Sequence, residues 1–312
     1  MTAESVATWQ KRLEDTFAVN GLVGGRFIPS IYEAEQLCGN KYAHTFAGHI
    51  CLSDCFIDFF ATTLRMVTYA GSRGHWPKDT AFYPIVIADF TSIFQTFRST
   101  TNLAINGYPL EAFSLQRTLF EQALIYGAVV NGYITFQEAW GLDGLGEVSS
   151  VDDKIFEKWR KKRISAEKTA VRKMIGAESG LTEGNQVEIK KLFDLFHQQV
   201  HRSFVSVASM ATAWNKDGKA PSVIPTFVEQ NYAIFMNRHT EIGWMLLRCL
   251  PTLFHEAHIA PEKWKSDFSI LDQSFRVMVE GLQSINKKIA SATIELIDRK
   301  FAFAVDRIYK EK

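Results

Sequence analysis

The stretch Asn106–Gly132, NGYPLEAFSLQRTLFEQALIYGAVVNG, constrains the fold more than any other part of the chain. Pro109 suits the first turn of a helix, where its missing N–H would have no partner, and Gly132 suits the helix end. At roughly 100° per residue, Leu110, Phe113, Phe120, Leu124 and Ala128 form one stripe. Leu115, Leu119, Tyr126 and Val130 form a second stripe almost opposite. Only Glu111, Ser114, Thr118 and Gln122 are left for a narrow polar edge. A helix apolar on two sides has to lie between neighbours. The stretch therefore predicts an all-α, multi-helix bundle with a buried central helix over about residues 108–131. Arg117 and Glu121 are four apart, hence adjacent, and fall inside the first apolar stripe. Burying an isolated ion is very costly, so the two are expected to be buried and bonded to each other or to the helix that carries His201. Any site of this chain is expected around that pair.

Helical periodicity recurs through the rest of the sequence, and convincing strand alternation is absent. Helices are expected over Ser5–Val19, Ile28–Leu37, Tyr42–Ala70 and residues 82–105 before the central one. Asp152–Ile175, Glu183–Trp214 and Thr226–Leu250 follow, with one or two more between Pro261 and Lys310. Short connections and the lack of a repeat predict one domain over residues 1–312, its N-terminal helices (1–75) packing on a core of 80–312. Asp89 and Arg248 interrupt the long apolar runs, so no membrane partner is expected. The charged, amphipathic N-terminus argues against a secretory signal. Four cysteines do not make a disulfide framework in a chain of this size. The expected location is the cytoplasm.

A formal charge of +1 excludes a global electrostatic pull toward nucleic acid or acidic membranes. One segment is locally basic: residues 154–173 carry Arg160, Lys161, Lys162 and Arg163 as candidate nucleic-acid contacts, with Trp159 able to stack on a base. His197 and His201 are four apart on one helix face, beside Phe193, and could share a ligand or a proton. His44, Cys51, Cys55 and Asp58 share a face of an early helix. A single helix cannot wrap a tetrahedral site, so no metal is expected. No phosphate loop, dinucleotide fingerprint or H-E-x-x-H occurs, and no cofactor is expected.

The run Gly107–Glu121, G-Y-P-L-E-A-F-S-L-Q-R-T-L-F-E, together with Val200-His201-Arg202-Ser203, is similar to a pattern in a group of bacterial helical proteins of unassigned function. Those proteins carry an R-S-L-F-E helix and a later helix ending in V-H-G-S; here Arg202 replaces the glycine. The group is thought to be related to HEPN domains, many of them ribonucleases of defence and toxin systems. The resemblance covers roughly residues 90–205 and implies that Arg117, Glu121 and His201 meet at the centre of the bundle. HEPN ribonucleases carry R-x4–6-H, and Arg248 to His255, RCLPTLFH, is the clear match, although Pro251 lies between the two. Two functions are thus expected of this chain. One is a non-catalytic interaction or ligand-sensing module with a buried Arg–Glu–His cluster. The other is a HEPN-like, metal-independent ribonuclease or nucleotide-binding protein of a defence or stress system, with Arg117, Glu121, His201, Arg248 and His255 as its catalytic candidates. The candidate partners are RNA or a nucleotide and, as a homodimer, a second copy of the chain.

Overall fold

The computed structural model describes residues 8, 11, 12, 15, 27–74, 83–140, 153–200, 227, 229–257, 261–281 and 283–301. Among them there is no strand. The helices are α1 (Phe27–Thr45), α2 (Ala47–Ser72), α3 (Tyr83–Ile105), α4 (Pro109–Val130), α5 (Phe136–Ala139) and α6 (Asp153–Met174). They continue as α7 (Glu183–Val200), α8 (Glu229–Cys249), α9 (Pro251–Ala257), α10 (Glu262–Gly281) and α11 (Gln283–Lys300). The fold is an all-α bundle. The helix expected over Ser5–Val19 and the expected extension of α7 toward Trp214 fall largely outside the described residues. No described helix is long and apolar enough to cross a membrane.

α4 is the axis. It starts at Pro109, after Gly107 takes a φ of 99°, and ends before Gly132 at a φ of 69°. Positive φ is the backbone region that glycine enters without steric cost, which is why these two positions bracket the helix. α3, α6, α7 and α8 all pack on α4. α1 and α2 pack on α3, and α2 also reaches α8, α9 and α10. One connected core of buried side chains runs from Tyr42 to Phe301. Phe56, Phe60, Phe90 and Phe97 supply much of it, with Phe56 meeting both Phe97 and Phe275 edge-on. Burying one such ring contributes about 1.5–3 kcal/mol.

Two expectations are corrected at this level. α1 continues through Gly39 to Thr45 rather than stopping near Leu37. A glycine costs a helix interior about 1 kcal/mol, and packing of this helix on α3 outweighs it. The break falls at Phe46, whose ring stays buried against Tyr42. The second correction concerns α4. Both stripes are buried, at Phe113, Phe120, Leu124 and Ala128 and at Leu119 and Tyr126, and the strip between them with Ala112, Ala123 and Gly127 is buried as well. A Cβ on Gly127 would overlap Met174 and come within 2.8 Å of the Phe301 ring, so this glycine lets both neighbours approach. Arg117 and Glu121 therefore lie at the edge of the buried face, 21% and 36% exposed, and are not a buried pair.

Candidate functional site

Three helices leave a groove of about 390 Å³ at that edge. α4 contributes Glu121 and Ile125, one turn apart. α6 contributes Ile164, Lys168, Val171 and Arg172, whose spacing puts them on one helix face, together with Glu167 and Ala170. Phe193 of α7 closes the far side and packs on Phe120, ring centroids 6.3 Å apart. Ile125 and Ala170 are fully buried and form the floor, while Ile164 is 39% exposed at the lip. The rim is charged. Arg117 Nε donates to Glu121 Oε1 at 2.8 Å, and Arg163 Nε donates to Glu167 Oε1 at 3.2 Å. Arg172 pairs with Glu178 at 3.0 Å, and Glu178 also receives Lys173 at 2.6 Å.

α6 is fixed in place by its own side chains. Arg163 is 12% exposed and spends every nitrogen, on Glu167, on the Ala139 carbonyl and on Gln122 Oε1 at 2.9 Å. Trp159 Nε1 donates to the Trp140 carbonyl at 2.6 Å. Both were expected to face nucleic acid, and both instead brace α6 against the bundle. Of the basic set, Arg160 and Lys161 are exposed and Lys162 is half-buried, with Arg160 paired to Glu157 at 3.1 Å.

Arg248 is likewise committed. Its Nε and Nη2 grip the Asp272 carboxylate at 2.7 and 3.1 Å, and its Nη1 reaches the Ile297 carbonyl and Asp298 at 3.4 Å. The guanidinium also lies over the Trp244 ring, 5.0 Å from its centroid. Arg276 covers the same ring at 5.2 Å, so the two cations and the indole tie α8 to α10 and α11. An arginine so engaged has no fork left for a phosphate. His255 falls in α9, started by Pro251, and its side chain lies outside what the structure describes. The side chain of His197 and the whole of His201 also lie outside the described residues.

No family model, no curated protein and no solved structure matches this chain.

The buried polar cluster that the sequence reading missed is in α8, where Asn237, Arg238, His239, Thr240 and Glu241 are all buried. His239 is sandwiched between Phe97 and Phe235, at 3.9 and 5.3 Å, with Nε2 2.8 Å from Thr101 Oγ1. Burial lowers its pKa to about 3, so the ring is neutral. Arg238 donates to Glu241, yet burial still raises the Glu241 carboxyl to about 7. Gln116 reaches across from α4 and donates to the Phe235 carbonyl at 2.9 Å. The signal was legible: five polar residues in succession, between Phe235-Met236 and Ile242, in the helix expected over Thr226–Leu250. None of the five lines the groove. His44 lies in α1 and Cys51, Cys55 and Asp58 in α2, on either side of Phe46. Among the described residues, no three His, Cys, Asp or Glu side chains converge as metal ligands.

Proposed function

We propose that this chain is a non-catalytic ligand-sensing module and that the groove between α4, α6 and α7 is its ligand site. The groove itself carries this reading: an apolar floor of Ile125 and Ala170 under a rim of fixed charges, at a volume within the range of about 300–1,000 Å³ that small-molecule sites occupy. Among the described residues its lining holds no histidine, cysteine or serine, and the carboxylates of Glu121 and Glu167 are each answered by an arginine. That inventory supplies recognition groups without a nucleophile and its base. The groove is shared by three helices, so a ligand there would bias how α6 and α7 sit on the central helix.

Ile164→Trp tests the reading, because it fills the groove from an exposed lip with an uncharged side chain. Small amphiphilic fragments should raise the melting temperature of the parent and lose that effect on the variant. Fragments that stabilise both proteins equally would place the ligand elsewhere. The competing reading is a HEPN-like ribonuclease, favoured by the exposed cations Arg160 and Lys161. Purified protein in EDTA with mixed RNA should show no cleavage that His255→Ala or His201→Ala removes. Cleavage lost in either variant would establish the nuclease and overturn the proposal.

A further inference from the structure

Resting on the groove as a ligand site, we infer that its ligand is a single-chain or single-ring amphiphile bearing one anionic group, seated on the apolar floor with its head on Lys168. The rim charges point there. The Glu121 carboxylate is answered by Arg117, and that of Glu167 by Arg163. Arg172 shares Glu178 with Lys173, so two cations compete for one acid. Lys168 lines the groove one turn from both Ile164 and Arg172, is exposed, and has no hydrogen bond or ion pair among the described residues. Positive charge is therefore in excess on the α6 side of the groove, and no positive charge is left over on the α4 side. A cationic head would meet the exposed ammonium of Lys168 and gain only carboxylates already paired. An anionic head gains that ammonium and leaves both arginine–glutamate pairs intact.

The tail follows from the walls. Ile125, Ile164, Ala170, Val171 and the Phe193 ring make up the apolar part of the groove's lining. About 390 Å³ is near the lower end of small-molecule sites, room for one short chain or ring system rather than a lipid with two acyl chains. Carboxylate, sulfonate and phosphate monoester heads share the chemistry required.

Octanoate and octylammonium carry one tail and opposite heads, and they serve as the probes, titrated calorimetrically into the full chain at low salt. The parent should bind octanoate more tightly. Lys168→Ala should weaken octanoate by about two- to fivefold, the range of an exposed ion pair, and Lys168→Glu should invert the preference. Salt should narrow the difference, since an exposed pair is screened. Ile164→Trp should abolish both interactions. If Ile164→Trp abolishes both while the parent does not distinguish the heads, or the Lys168 variants leave their ratio unchanged, the head-group inference fails and the groove stands. If neither probe binds the parent, or Ile164→Trp changes nothing, the groove reading fails as well. Lys168 and Ile164 are both exposed, so an unchanged melting temperature in each variant separates lost binding from lost folding.

Discussion

Arg117 and Arg238 are each matched to a glutamate on their own helix, and their surroundings separate them. The Arg117–Glu121 pair sits in partial contact with water, while Arg238 and Glu241 are only 9% and 2% exposed. Arg117→Met should therefore cost no more than about 1 kcal/mol. Arg238→Met should cost about 3–5 kcal/mol at pH 8, because it leaves a buried carboxylate without its cation. Urea unfolding of the two variants checks both, and equal losses would contradict the assignment. The same carboxylate makes stability depend on pH. Its folded pKa is about 7 against an ordinary 4.5, so the folded protein holds a proton that the unfolded chain has given up. That contribution is full below about 4.5 and is lost as pH rises through about 7. His239 acts in the opposite sense: its pKa of about 3 against 6.5 loses stability as pH falls below about 6.5. Melting temperatures of the parent and Glu241→Gln between pH 5 and 8 isolate the carboxylate. The parent should fall relative to the variant as pH rises, and a constant gap would contradict the buried, strained acid.

Among the elements, α4 depends on a glycine that no hydrophobic pattern identifies. Gly127→Val should destabilise the protein by about 1–3 kcal/mol through overpacking against Met174 and Phe301, read by thermal unfolding. A neutral result would mean that Met174 and Phe301 do not close on α4 as described. Arg248→Met should cost about 2–3 kcal/mol, since the charged hydrogen bonds that it gives Asp272 join α8 to α10. The identity of the helices was readable because 3.6-residue periodicity, Pro109, Gly107 and Gly132 all act locally. The close approach at Gly127, between the two stripes of α4, was not. Apolar stripes mark where large side chains go, whereas Gly127 leaves the room that Met174 and Phe301 occupy, and a glycine carries little hydrophobic signal. The partners of Arg163 and Arg248 were hidden for another reason. Gln122, Ala139, Asp272 and Asp298 are distant in sequence and adjacent only after packing.

At the scale of the molecule, the bundle arranges two kinds of charge in two places. The α8 cluster and the Arg248–Trp244–Arg276 clasp hold charge inward, where it fixes how helices meet. The groove between α4, α6 and α7 holds charge at the surface, around an apolar floor. That division underlies the claim that the chain recognises a small ligand without transforming it. Methyl-resolved NMR during a fragment screen tests the claim most directly, with isoleucine and valine methyl groups as reporters. Binding fragments should shift Ile125, Ile164 and Val171 together while leaving Ile242 in the α8 core unmoved. Fragments that instead shift Val277, beside the separate cavity between α2 and α10, would contradict the account.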